Sequence, residues 1–485
     1  MIGQRTSQRS FAKSVDWLLI ISYLLLVTIG VMNIYSTVHY STPELFVWKS
    51  RACKQLVWIA TAIIIALVIL FVIPPRVYEP ISLPLYVVIF FLLVLVIFVS
   101  RDVKGSHSWF TFGPISLQPA ELSKISTSLM LSMVISKLDL RFKTFRDYAI
   151  AGAVLLLPML AILAESETGS MLVYVGFLLV LYREGISGWW LALLGIIIVV
   201  FVVTLKYDPF WALLIIGIIA TLSNDLPQNK GRRWFAVHFP AIIALITYFI
   251  VYNKVCAAHP DTTFAYFKPI YLILACMLAL MVAYLIKGFR TVNAFKMVTV
   301  AMIAICVGMS LAVPFVFNKV LKDYQQKRIQ VLLGIIEDPR DAGYNVTQSK
   351  IAIGSGGFFG KGYLNGTQST FGFVPEQSTD FIFCTIGEET GFAGCTAVIL
   401  LYVLLIWRIL RGAEKSRERF TRVYGYCVAS CLTMHLVINI GMTIGLMPVI
   451  GIPLPLVSYG GSSLWAFTAL IFIFVALDRN EKKYF

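Results

Sequence analysis

Along this chain, long apolar runs alternate with short polar connections. A run of about 20 apolar residues can cross a bilayer as a helix. Such runs lie near Trp17–Ile34, Leu56–Ile73, Leu83–Val99, Leu117–Ser136 and Ala149–Ala164. They continue near Ser170–Tyr182, Trp189–Leu205, Pro209–Leu222, Ala236–Tyr252 and Pro269–Ile286. The last are near Lys296–Phe317, Phe381–Trp407, Val423–Met447 and Gly461–Leu477. The pattern predicts an all-α polytopic membrane protein with about 14 spans. One stretch breaks it. From Asn318 to Asp380 the apolar runs stop, and charges, glycines and amides take over. Lipid cannot satisfy the backbone of such a segment, so it must lie in water or line a cavity.

Composition narrows the class. Apolar residues make up 59% of the 485 and charged residues 13%, half the share usual in a soluble domain. The net charge is +15, but the bases sit between apolar runs, which points to membrane topology and not to nucleic acid. Every second connection is basic. Arg5, Arg9 and Lys13 precede the first span, and Lys137, Arg141, Lys143 and Arg146 follow the fourth. Lys230, Arg232 and Arg233, then Lys287 and Arg290, then Arg408 to Arg422, and finally Arg479, Lys482 and Lys483 fall on the same side. That side is expected to be the cytoplasm, with both termini on it and 318–380 outside. No small-residue cleavage site follows the first span, so it is expected to be retained. An outer segment should be poor in bases, yet this one holds Lys319, Lys322, Lys327, Arg328, Arg340, Lys350 and Lys361. It reads either as a self-balanced loop or as a site for an anionic ligand. Lys49, Arg51 and Lys54 also break the charge rule.

Candidate chemistry clusters in three places. The glycine run IAIGSGGFFGKG lacks the Ser or Thr that a phosphate loop needs after its Lys. It is expected to make tight turns in a re-entrant or interfacial loop. Asp338 precedes Pro339 and so sits in an extended or turn conformation. Glu376, Asp380, Glu388 and Glu389 follow at the start of a span, where ionisable groups are costly and usually paired or functional. In the fourth span Glu121 and Lys124 share a helix face at i, i+3, either as a self-satisfied pair or with Lys124 aimed at another acid such as Asp338. Near the C-terminus GLMPVIGIPLPLVSYGGSS reads as a broken helix, with a new N-terminus at Ser462 and Ser463 that favours an anion. The eight cysteines contain no CxxC pair. Cys427 and Cys431 are expected to pack within a span, and a Cys53–Cys256 disulfide stays open. The histidines have no metal-ligand spacing, so no metal site is expected.

Taken in order, LQPAELSK, the run from DPRDAGYNVTQSKIAIGSGGFFGKG to PEQSTDFIF, GEETGFAG and GLMPVIGIPLPLVSYGGSS closely resemble the SEDS (shape, elongation, division and sporulation) family. The form QSKIAIGSGG…GKG…GTQ looks like its RodA, or elongation, branch more than its FtsW, or division, branch. The resemblance implies a peptidoglycan glycosyltransferase that polymerises lipid II in the bacterial plasma membrane. It implies a partner, a single-span class B penicillin-binding protein acting as transpeptidase. It maps the family's required aspartate to Asp338, its span lysine to Lys124 and its loop tryptophan to Trp109. Through the matched motifs, Glu121, Arg340, Gln348, Ser349, Lys350, Lys361, Glu376, Asp380, Ser458 and Ser462 become candidate substrate-binding residues. Two positions depart from the family pattern. Ser108 stands where Arg is frequent, and Glu167 takes an Asp position. The usual ten spans also become about fourteen, which makes 189–295 an insertion between core parts 1–188 and 296–485, the latter with the active loop 318–380.

For the chemistry itself, one positioned carboxylate suffices to take the acceptor proton. Asp338 is expected to be that base, in an inverting transfer that releases a lipid diphosphate. Lys124, Arg340 and Lys350 are expected to face the diphosphate, or Lys124 pairs with Asp338. No tightly bound cofactor is expected, although a divalent cation suits diphosphate chemistry. The alternative is a flippase for the lipid-linked precursor, since intramembrane charges and broken helices also suit transport.

Overall fold

The computed structural model describes residues 14–39, 50–100, 108–112, 115–225, 231–259, 267–291, 294–321, 323–336 and 343–483. In chain order it opens with α1 (Trp17–His39), α2 (Arg51–Leu67) and α3 (Tyr78–Val99). A hairpin follows, β1 (Phe110–Phe112) and β2 (Ile115–Leu117), antiparallel with Phe110 opposite Leu117. Then come α4 (Pro119–Lys137), α5 (Phe145–Ala164), α6 (Thr168–Tyr174) and α7 (Phe177–Arg183). Next are α8 (Trp189–Lys206), α9 (Pro209–Asp225), α10 (Gly231–Ala258), α11 (Pro269–Thr291), α12 (Ala294–Phe315) and α13 (Asp323–Leu332). The chain closes with α14 (Tyr344–Ser355), α15 (Thr367–Thr370), α16 (Ile382–Lys415), α17 (Arg419–Thr443) and α18 (Gly461–Lys483).

Among the described residues, 11 helices are long and apolar enough to span a membrane. The segments Thr168–Arg183 and Pro209–Asn224 are apolar but shorter. Helix α4 falls outside that group because serines and Lys124 dilute its apolar content. This is a multi-pass, all-α membrane protein. Many of its large apolar side chains face outward, Phe91 and Phe98 of α3 among them, as a lipid solvent requires. The hairpin is absent from the sequence expectation because three-residue strands are too short to show an alternating pattern. Helix α16 runs eight residues past Trp407, and its basic end is held by Arg408–Asp16 and Arg183–Glu414 ion pairs, both 2.5 Å. All eight cysteines are free.

The chain forms two compact units, Met1–Ser187 with Pro339–Phe485, and Gly188–Asp338. In the second, α9 packs on α8, α10, α11 and α12. Its core centres on Phe210, Leu213, Ile273 and Ile303, with Phe210 stacked on Phe249 at 4.5 Å.

In the first unit α17 is the hub, packed on α16, α4 and α18. Helix α4 is buried on nearly every face. Its serines make that affordable in two ways. They are small enough for close helix approach, and their hydroxyls bond their own helix, Ser128 to Lys124 O and Ser132 to Ser128 O at 2.6 Å each. Polar ties also link distant helices, as in Tyr23–Thr468 and Trp465–Thr61, both 2.8 Å.

Helix α16 is broken at Gly391, whose φ of 65° and ψ of −161° are outside the helical region. The glycine run repairs the break. Lys361 N and Gly362 N donate to Glu388 O and Glu389 O, each at 3.0 Å. Phe392 N and Ala393 N donate to Gly357 O and Phe358 O at 2.9 and 3.0 Å. The loop therefore supplies the partners that the kinked helix lost, and only glycine permits so close a backbone approach. A Cβ on Gly360, at φ 81°, would overlap the Glu389 carbonyl. Gly360→Ala is expected to destabilise through strain and overpacking, each worth about 1–3 kcal/mol. Thermal unfolding in detergent reads the loss.

Candidate active site

Helix α4 starts with Pro119 in its first turn and Glu121 close behind, both favoured at a helix N-terminus. One turn on, Lys124 is wholly buried. Its ammonium donates to Glu121 Oε1 at 2.7 Å and contacts His435 Nε2 of α17 at 2.9 Å. It lies over the Phe467 ring of α18, 5.0 Å from the centroid, and the His435 ring meets the same phenyl edge-on at 4.8 Å. His435 Nδ1 faces Pro453 O at 3.1 Å. So the Glu121–Lys124 pair forms as the i, i+3 spacing allows, and a histidine joins it that the sequence reading does not single out.

More carboxylates lie near this end of α4. Glu167, between α5 and α6, accepts from Ser108 at 2.7 Å and from Ser170 at 3.4 Å, and it feels the charges of Glu121 and Lys124. Glu165 is fully buried with neither oxygen hydrogen-bonded among the described residues, and Glu121 Oε2 is likewise unpaired. Trp109 is half-buried beside Ser108, where the hairpin begins.

The broken segment before α18 is pinned through its free carbonyls. Asn439 Nδ2 donates to Ile452 O at 2.7 Å and to Asp380 O at 2.8 Å. Tyr402 OH donates to Pro455 O. Ser458 Oγ donates to Thr379 O at 2.6 Å and accepts from Leu454 N at 2.8 Å. Glu376, at φ 53°, accepts from Thr379 at 3.2 Å in the turn ahead of α16. Ser462 is buried in the first turn of α18. Thus Ser458 and Asp380 sit where 376–380 and 452–460 meet.

On α14, Ser349 is buried and donates to Thr443 O at 2.9 Å, which ties α14 to the end of α17. Lys350 is exposed, and its stem passes Gly445, which sits at φ 77°. Gln348 is half-buried on the same helix. Asp338 and Arg340 lie outside the described residues.

Lys361 is committed elsewhere. Its ammonium is 2.7 Å from Glu388 Oε1 and 2.8 Å from Thr367 Oγ1. Glu388, fully buried, also caps α15, accepting from Gln368 N at 2.8 Å and from Ser369 N and Oγ at 2.9 Å. Lys361→Met is expected to lower the unfolding temperature while the apparent KM for a lipid-linked donor stays within about twofold, since Glu388 loses the one cation paired with it among the described residues. A tenfold KM rise at unchanged stability would contradict this. Glu389, its neighbour, accepts from Ser36 of α1.

The opposite end of the unit carries a different charge pattern. Arg419 and Arg422 both bind Glu184, at 3.0 and 3.2 Å, beside a cavity of about 440 Å³. Asp139 borders it, and its hydrogen bond from Arg141 holds its carboxyl below the usual range.

A model of the FtsW/RodA/SpoVE family, described as a cell cycle protein, matches residues 16–218 and 212–483. The chain belongs to the FtsW/RodA/SpoVE family. The peptidoglycan glycosyltransferase RodA of Treponema pallidum (strain Nichols) is 32% identical over 472 residues, 96% of this chain and 98% of the relative. The peptidoglycan glycosyltransferase MrdB of Escherichia coli (strain K12) is 30% identical over 420 residues, 86% of this chain and 83% of the relative. The crystal structure of Thermus thermophilus rod shape determining protein RodA shares the fold, with TM-score 0.54 and 20% identity over 96% of this chain and 97% of that one. A chain of a peptidoglycan synthase complex, reported for its coordination of polymerization and crosslinking, matches with TM-score 0.60 at 22% identity, covering 96% and 98%.

Ser108 and Glu167, the two positions expected to depart from the family pattern, are hydrogen-bond partners in this structure. The structure also brings in His435 and Asn439, which the sequence reading misses. The available signal was two polar residues at i, i+4 inside an apolar span, where polar groups are costly unless they serve.

Proposed function

We propose that this family member is a peptidoglycan glycosyltransferase that polymerises lipid II into glycan strands during cell elongation. Relatives carrying that activity in their names, RodA and MrdB, at 30–32% identity over 86–96% of the chain, are the observation that carries it. Asp338 takes the proton of the acceptor hydroxyl as it attacks the anomeric carbon. Such general-base help is worth about 10²- to 10⁴-fold. The displacement inverts that carbon, converting an α-linked donor into a β-linked glycan, and undecaprenyl diphosphate leaves.

Lys124 is the cation proposed for the site. Among the described residues, Glu121 and His435 take two of its three ammonium hydrogens. One remains for a ligand oxygen, and burial strengthens its field on a departing diphosphate. Arg340 and Lys350 are proposed to face the same group from the outer segment. Trp109, Gln348, Glu376, Asp380 and Ser462 are proposed to border the sugar and diphosphate, with Ser349 and Ser458 shaping the frame behind them. A divalent cation is compatible with this site, and no step depends on it.

The family neighbour in a complex named for polymerization and crosslinking supports a class B penicillin-binding protein as partner. The basic connections support both termini being cytoplasmic and 318–380 outside, in a location proposed to be the plasma membrane. Residues 189–295 are proposed as added spans, even in number, which leave that sidedness unchanged. A flippase reading is not favoured, because the long-aligned relatives are named as glycosyltransferases.

The deciding test gives purified protein, with and without the partner transpeptidase, a fluorescent lipid II. Products are resolved by size. Polymer from the wild type supports the reading. No polymer under either condition, with lipid movement across vesicle bilayers, would overturn it.

A further inference from the structure

The carbonyls freed by the prolines of the broken segment each need a donor, because no helix supplies one. Ile452 O takes Asn439, Pro455 O takes Tyr402, and Pro453 O takes His435. Asn439 and His435 stand one turn apart on α17 and do this job side by side. Asn439 also reaches a second carbonyl, Asp380 O, but among the described residues His435 is the one of these three donors that also reaches a cation. A carbonyl cannot donate, so the ring hydrogen must be on Nδ1, facing Pro453 O. Nε2 then carries a bare lone pair, and it points at the Lys124 ammonium 2.9 Å away. The ring is wedged against Phe467, which also underlies Lys124. Had carbonyl capping been the whole task, an amide such as Asn439 or a phenol such as Tyr402 would have met it. The second ring nitrogen connects the broken segment to the buried cation.

We infer that His435 is a positioning residue for the proposed transfer: the Pro453 carbonyl fixes its tautomer, and its free nitrogen is the second anchor of Lys124 beside Glu121. A two-point hold sets where the third ammonium hydrogen points. With Glu121 alone, the four-carbon stem swings, and a misplacement of about 1 Å in a catalytic group costs up to about 10²-fold. This inference rests on the glycosyltransferase reading and on Lys124 acting at the diphosphate. Because charge on the leaving group grows in the transition state, the loss should fall on kcat and leave KM alone.

The experiment compares full-length wild type, His435→Leu and His435→Gln on fluorescent lipid II, with kcat, KM and unfolding temperature measured for each. Leu removes the acceptor, and Gln places an amide oxygen near the Nε2 position. We expect kcat to fall roughly tenfold to a hundredfold in His435→Leu with KM unchanged, and His435→Gln to recover most of the rate. The rate difference between Leu and Gln should not follow their unfolding temperatures. Equal losses in both variants, tracking unfolding temperature, would mean a packing role only and overturn the inference. So would wild-type kcat in His435→Leu. If His435→Leu does not fold, His435→Gln decides alone, a retained rate supporting the inference and a lost rate overturning it. A wild type that makes no polymer removes the glycosyltransferase reading itself, and this inference with it.

Discussion

Asp338→Ala should abolish glycan polymerisation and leave the protein folded in the membrane. The reasoning starts from what the reaction lacks. The donor already has a good leaving group in its diphosphate, so the difficult partner is the acceptor hydroxyl, a poor nucleophile until its proton goes. A carboxylate placed beside it removes that proton as the new bond forms, and losing it costs about 10²- to 10⁴-fold. Asp338→Asn should fail nearly as badly, because an amide keeps the shape and can hydrogen-bond the hydroxyl but cannot accept its proton. The pair of variants separates base from binder. Asn activity close to wild type would mean that Asp338 orients the acceptor and another group takes the proton. Stability should hold in both, since Asp338 lies in a polar stretch of the sequence and neither exchange removes apolar surface. The readout is glycan length on a gel, beside the unfolding temperature of each variant.

Much of the frame was legible because lipid enforces simple patterns. Runs of apolar residues became helices, with ends shifted by a few residues, as from Ala149 to Phe145 in α5. The Glu121–Lys124 contact is one of the two readings that helical spacing left open. What stayed hidden depends on residues far apart in sequence. Nothing local announces that Ser108 meets Glu167, or that His435 lies between Lys124 and Pro453. The glycine run was legible as tight turns, but its partner was not. Glycines allow close backbone approach, and the sequence cannot say to what. Here the approach is to the kink of α16, so the loop serves helix architecture and Lys361 is drawn into the pair with Glu388. Serine-rich α4 shows the opposite case. Its hydropathy is modest, yet it is among the most enclosed helices, because hydroxyls that bond their own backbone need no outside partner.

Lys124→Met should lose both stability and activity, and a second substitution should separate the two. In the wild type, Glu121 is 2% exposed and Lys124 wholly buried, 2.7 Å apart. Removing the lysine strands a carboxylate whose Oε2 already lacks a partner among the described residues. Breaking a buried pair from one side costs about 3–5 kcal/mol, because the remaining charge has nothing to compensate its lost hydration. Replacing both members by apolar residues is different. Such double replacements are frequently neutral or stabilising, since neither desolvation penalty remains. Lys124→Met with Glu121→Leu should therefore unfold well above the single variant, short of the wild type only by the unpaired His435 Nε2, about 1–3 kcal/mol. Polymerisation should not return with it. If Lys124 stabilises negative charge on the departing diphosphate, its loss costs on the order of 10²- to 10³-fold whatever the stability of the helix around it. The single and double variants then share one activity and differ in unfolding temperature. Recovery of polymerisation in the double variant would contradict the catalytic role of Lys124 and make the pair a device for holding α4 against α17.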